Sequence, residues 1–358
     1  MAWRNLSAAS VPAHHRLRRS ATAARLPEIN PRFHDTDAEL DGLYGRVAAA
    51  GLQPLWTQEG LMPRQPSLGA VAQVWRFADV EALLDEAAAL VGTDRGGDRR
   101  VLAFANAGLD GAPYATPTLW AAYQRLNPGE SAPAHRHTPS ALRFVLDGHG
   151  VCTTVDGVET AMEPGDLVLT PAMCWHEHRS SGHGPMVWFD GLDIPLVRSL
   201  DAVFFEPGPA RAADPPPFPL RYARSDVERL LDERAGSVST HRYARVDGSD
   251  VLPTIRCEMH RVGSGSARTT PEHVGSSVLM VFAGSGRVDW SSWRGDGGSV
   301  LAPGDVVAVP SWVRTVWRAE ASIELFEISD APVIESLGLA RQAPGDGAPC
   351  TQAGGSSG

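Results

Sequence analysis

Two passages of this 358-residue chain repeat one another, and that repetition constrains the fold more than any other feature. "RFVLDGHG", starting at Arg143, matches "LMVFAGSG", starting at Leu279. "EPGDLVLTPAMCW", starting at Glu163, matches "APGDVVAVPSWVR", starting at Ala302. Both matches are displaced by nearly the same distance, which unrelated segments seldom show. Each passage is a short apolar run bounded by glycines or by Pro-Gly-Asp, the pattern of strands and tight turns. The chain is therefore expected to hold two copies of one β-unit.

Finer marks support this reading. "VCTTVDGVETAM" sets Asp156-Gly157 between two alternating runs, a strong hairpin signal. "LWAAYQRL" puts Trp120, Ala122 and Gln124 on one face if extended. The first β-pattern runs from Val101 to about Val197 and the second from His241 to about Ser329. Each predicts an antiparallel sandwich or barrel. Two helices come first. One opens with Thr36 and Glu39 in capping-box spacing, carries Leu40, Leu43, Tyr44 and Val47 as its apolar stripe, and ends at Gly51. The other takes Asp79 as N-cap and stops at Gly92.

Residues 206–220 read as a proline-rich connector, followed by a short helix that Ser225 and Glu228 would box. The expected organisation is a disordered extension at 1–30, a helical region at 31–98, a first β-domain at 99–200, a linker with a short helix at 201–240, a second β-domain at 241–335 and a flexible tail at 336–358. Residues 1–27, with five arginines and no acid, have transit-peptide composition but read best as a disordered tail or as the product of a start codon placed too early.

Composition excludes several functions. All 32 basic residues are arginine, so chemistry that needs an amine, such as a Schiff base or a P-loop lysine, is ruled out. A net charge of −10 argues against nucleic acid as a partner, and no apolar run approaches the length of a membrane span. The four cysteines form no CxxC pair, which suits a reducing, cytoplasmic setting.

The chemistry concentrates in "AHRHTPSALRF", residues 134–144. On a strand, His135 and His137 point to one face, about 7 Å apart. "CWHEH" after the Pro-Gly-Asp turn offers His176 as a third ligand, with His178 two residues beyond. An isolated His-x-His is weak and is more often a surface feature. Combined with the hairpin, the Pro-Gly-Asp turn and the later histidine, it points to a metal. Three imidazoles leave half an octahedral shell open, which suits an Fe(II) oxygenase; three-histidine zinc is the competing reading.

These motifs resemble the cupins, and the tandem copies resemble a bicupin: a mainly β fold of two cupin, or jelly-roll, barrels with an N-terminal helical arm. "PGESAPAHRHTPSALRFVLDGHG" and "PGDLVLTPAMCWHEH" resemble the gentisate 1,2-dioxygenase family, which includes salicylate and 1-hydroxy-2-naphthoate dioxygenases. The similarity extends upstream through "LQPLW", "VWRFADV" and "RRVLAFAN". Many cupins place a glutamate where this chain has Ala141 or Leu142, and its absence matches that family's three-histidine site.

The resemblance implies Fe(II) held by His135, His137 and His176 in the first barrel. It implies O2-dependent opening of an ortho-hydroxy aromatic carboxylate between the carboxyl- and hydroxyl-bearing carbons. Gentisate, giving maleylpyruvate, is the first expectation, with salicylates and 1-hydroxy-2-naphthoate as alternatives. Arg143 would pair with the substrate carboxylate, since a guanidinium matches it in two parallel hydrogen bonds. Arg99 would be a second carboxylate contact, with Arg100 as its alternative, and Trp120 and Gln124 would line the pocket. His178 would donate or accept a proton, and Asp190 would orient it.

Aligned on the repeat, the second copy puts His273 opposite His137, Pro271 opposite His135 and Thr315 near His176. One histidine cannot hold iron, so this copy is expected to be structural and to build the interface of a homotetramer. A non-catalytic cupin that binds an aromatic acid is the reading from a different class.

Overall fold

The computed structural model describes residues 38–58, 60–63, 66–92, 100–182, 184–209, 214, 216–234 and 236–343. Arg99, Thr36, the N-terminal extension up to residue 37 and the tail from 344 lie outside the described residues. The chain divides into a unit at Met1–Ser67 and a larger one at Leu68–Gly358. In the first unit helix α1 spans Ala38–Ala49, with Gly51 at positive φ beyond its end, as the C-terminal stop requires. Trp56 Nε1 donates to Tyr44 Oη at 3.2 Å.

The larger unit holds two β-sandwiches of the jelly-roll kind. Each pairs a six-stranded sheet with a smaller one, of five strands in the first barrel and four in the second. The expected hairpin is present: strands Val151–Val155 and Val158–Ala161 flank Asp156 and Gly157, both at positive φ as a type I′ turn needs.

The two six-stranded sheets pack on each other. The largest apolar cluster joins Leu142, Phe144 and Phe189 of one to Met259, Met280, Phe326 and Ile328 of the other. Phe144 stacks on Phe326 with centroids 4.1 Å apart. These strands are therefore buried on both faces and read as near-continuous apolar runs rather than clean alternations. On the strand Ala141–Asp147, Phe144 faces the neighbouring barrel, while Val145 packs inside its own with Met186 and Trp188. Arg143 shares the inward parity of Val145.

Short segments cross between the barrels. The strand Gln73–Trp75 joins the second barrel's sheet through Val306–Val309, and helix α2 (Phe77–Leu90) follows it. Arg76, not Asp79, is the N-cap; Asp79 lies within the first turn. The capping carboxylate comes from far away: Asp305 of the second Pro-Gly-Asp turn accepts the Phe77 N–H at 2.9 Å and pairs with Arg76 at 2.6 Å. The first barrel mirrors this. After helix α3 (Ile194–Ser199), the strand Arg221–Tyr222 joins its sheet, and helix α4 (Arg224–Asp232) follows. Here Asp166 of the first turn accepts the Arg224 N–H at 2.9 Å and pairs with Arg221.

The expected Ser225–Glu228 box does not form, because the helix starts at Arg224 and Ser225 is already inside it. Gly165 and Gly304, both at positive φ, lie against Arg224 and Phe77, where a Cβ would clash. Helix α5 (Ala331–Ser336) closes the second barrel. Reciprocal carboxylates lock the sheets: Asp193 accepts from Ser140 N and Thr254 Oγ1, and Asp330 from Ser276 N and Thr118 Oγ1.

The connector is not wholly irregular. Its first residues, Glu206 and Pro207, belong to a strand, Phe205–Pro207, that pairs with Ser131–His137.

Candidate active site

His135 and His137 lie on the strand Ser131–His137, and His176 begins the adjacent strand, directly opposite His135. The turn Pro171–Cys174 delivers His176, with Met173 at positive φ and its N–H donating to His137 O. One potential ligand atom from each of the three histidines lies within 4.8 Å of the others.

Backbone carbonyls set the tautomers. The Nδ1–H groups of His135, His137 and His176 donate to the carbonyls of Pro133, Pro139 and Cys174 at 2.8, 2.7 and 3.0 Å. The lone pair of each neutral ring is thereby placed on Nε2. His176 Nε2 is buried with no protein partner, the mark of a nitrogen shaped for a ligand. Burial, followed by the charges of neighbouring rings and Arg143, pushes His137 down to about 4 and His176 well below its usual value. Neutral imidazoles are the metal-binding form, so the donor set fits a transition metal.

A cavity of about 370 Å³ opens beside the trio, lined by His135, His137, Trp120, Gln124, Arg143, His178 and Asp190 among others. The structure thus brings Trp120, Gln124, Arg143, His178 and Asp190 to one cavity beside His135, His137 and His176. Arg143 is 5% exposed; its Nη1 donates to Thr170 Oγ1 at 2.6 Å. Its Nε lies 3.6 Å from Asp190 Oδ1, too far for a hydrogen bond. Burial pushes Asp190 up to about 6, against the opposing pull of Arg143 and of the Trp188 N–H, which donates to it at 3.0 Å.

Asp190 does not hold His178. Thr153 does, with its Oγ1 2.8 Å from His178 Nδ1, while His178 Nε2 is buried without a partner. Arg100 pairs with Glu130 and does not line this cavity. Sequence reasoning missed Thr153, Thr170 and Phe205. Phe205, just ahead of the supposed connector, sits opposite His137 with its ring 5.3 Å from that of His135. Neither buried hydroxyl stands out in a strand rich in Val and Thr.

In the second barrel Thr315 occupies the place of His176, facing Trp290 as His176 faces Val155. A different polar group, Glu258, His260 and Glu327, lies within ligating distance there. It is internally compensated: Glu327 accepts from His260 at 2.8 Å, from Ser277 at 2.6 Å and from Arg268 at 3.1 Å.

A cupin domain family matches residues 122–194. A gentisate 1,2-dioxygenase from Streptomyces sp is 41% identical over 349 residues, covering 86% of this chain and 96% of the relative. A 5-aminosalicylate 1,2-dioxygenase from Comamonas sp is 32% identical, covering 86% and 92%. A crystal structure of salicylate 1,2-dioxygenase from Pseudoaminobacter salicylatoxidans, in adducts with gentisate, matches with a TM-score of 0.78 at 38% identity, covering 86% and 94%. Fold and site together define a bicupin dioxygenase. The chain belongs to the gentisate 1,2-dioxygenase family and is an enzyme of that kind.

Proposed function

We propose that this enzyme uses Fe(II) and O2 to open an ortho-hydroxy aromatic carboxylate between its carboxyl- and hydroxyl-bearing carbons, with gentisate as the substrate. One observation carries the reading: a buried arginine with an unsatisfied Nε lines one cavity with His135 and His137, which converge with His176. The name of the Streptomyces relative supports gentisate.

His135, His137 and His176 would hold the iron. Bound there, Fe(II) supplies open coordination positions and electron transfer to O2. Arg143 binds the substrate carboxylate, and Asp190 moderates its charge. Arg99, two residues before the cavity residue Val101, is a second carboxylate contact. Trp120 and Gln124 hold the ring in place, and Leu192, Ile194 and Phe205 exclude water from it. His178 Nε2 accepts the phenolic proton as the hydroxyl ionises.

The first barrel, 99–200, carries the chemistry and the second, 241–335, supports it in a cytoplasmic homotetramer; light scattering tests the assembly. Oxygen uptake and the ultraviolet spectrum of the ring-opened product, measured with Fe(II) across a panel of ortho-hydroxy aromatic acids, test the reaction. No uptake with any of them would refute it. Faster turnover of salicylate or 1-hydroxy-2-naphthoate would move the substrate assignment.

A further inference from the structure

The second barrel is an internal control for the first. Register fixes the equivalences: Asp190 pairs with Arg143 as Glu327 pairs with Leu279, so Leu279 stands where Arg143 does. His178 pairs with Thr153 as Trp317 pairs with Val288. Thr170 and Val309 each end the strand after the Pro-Gly-Asp turn and sit opposite Ala141 and Ser277 at the start of the matching strand.

The polar pairs are thus lost together. Arg143 with Thr170 becomes Leu279 with Val309, and His178 with Thr153 becomes Trp317 with Val288. Valine and threonine have the same shape, and both threonines are fully buried. Barrel packing is satisfied by valine at either place. A buried hydroxyl without a partner is unfavourable, so it belongs where a cavity group uses it.

We propose that Thr153 and Thr170 are positioning residues for the reaction. Thr170 accepts from Arg143 Nη1 and holds the guanidinium in the plane that meets the substrate carboxylate. Thr153 has one hydroxyl proton, which it donates to Met162 Sδ at 2.9 Å; its oxygen then accepts from His178 Nδ1–H at 2.8 Å. That relay leaves the His178 lone pair on Nε2, aimed at the cavity. The inference rests on the reading above that Arg143 and His178 serve the substrate.

The test uses Thr153→Val and Thr170→Val, each beside the corresponding serine variant. In metal-free protein labelled with 15N-histidine, ring-nitrogen shifts should show wild-type His178 protonated on Nδ1 and Thr153→Val a mixture of tautomers, with serine restoring the first state. In the iron-loaded enzyme, Thr153→Val should lower kcat about tenfold with little change in KM. Thr170→Val should raise KM about tenfold with kcat nearly kept, and serine should rescue both. A wild-type His178 protonated on Nε2, valine variants with wild-type constants, or failed rescue would each overturn the proposal. If the wild type turns over no aromatic acid, the proposed function has failed instead, and the NMR result still decides the role of Thr153.

Discussion

Arg143 and Asp190 face each other on paired strands, with Nε 3.6 Å from Oδ1, close enough to share charge but not to close a hydrogen bond. Burial holds Asp190 at about 6, so this pair changes net charge near neutrality. Below that pH Asp190 is neutral and Arg143 attracts an anion fully; above it, the carboxylate opposes one. KM for an aromatic acid should therefore rise several-fold as pH passes upward through about 6. Asp190→Asn should flatten that rise and lower KM at pH above it. A variant with the wild-type slope would show that another group titrates.

Arg143→Ala should raise KM about a hundredfold, the loss of roughly 3 kcal/mol from a buried charge pair. Metal content, read by mass spectrometry, should not change. Arg143→Lys should recover little, because an ammonium cannot form the paired hydrogen bonds of a guanidinium.

Metal removal tests the histidine trio. Chelation should abolish oxygen uptake, and Fe(II) but not Zn(II) should restore it. His137→Ala should lose most bound iron, since it leaves two imidazoles; retention of full iron and turnover would contradict the assignment.

Glu327 tests the second barrel. Burial alone would raise its carboxyl; Arg268, His260 and Ser277 outweigh it and hold the group far below the ordinary range. A depressed acid adds stability above its unfolded value, about 4.3, and loses it as pH falls through the folded value. Glu327→Gln should therefore cost about 3–5 kcal/mol near neutrality by stranding Arg268 and His260. The gap between variant and wild type in urea melts should narrow as pH falls below about 4.

Asp166 and Asp305 each cap a helix remote in sequence. Replacing either by alanine should cost about 1–3 kcal/mol, from a lost cap and a lost ion pair to a largely exposed arginine. Denaturant melts followed by far-ultraviolet circular dichroism would register it; a neutral result would mean that the helix starts are held by other contacts.

Local chemistry was legible in the residues themselves. The Asp156-Gly157 hairpin, the repeated Pro-Gly-Asp turns and the placement of Trp120, Gln124 and the histidines all depend on neighbours a few residues away, where strand parity and turn geometry decide. The errors share one cause. Asp79 and Ser225 had the spacing of caps, but carboxylates more than fifty residues distant, Asp305 and Asp166, supplied the acceptors. Residues 206–220 looked irregular, yet Phe205–Pro207 found an open strand edge beside the histidines.

By itself, then, the sequence determined that there are two β-barrels, that the first carries a His-x-His pair and a later histidine that strand parity can aim at one point, and that an arginine stands beside them. Tertiary structure alone decided that the barrels meet through their six-stranded sheets, that Asp190 answers Arg143 rather than His178, and that Thr153 and Thr170 hold the cavity groups. The physical reason is reach. Backbone parity and turn preference act over a few residues and leave their mark in order of sequence, whereas burial on both faces of a sheet and pairing between distant strands depend on which surfaces meet after the chain has closed.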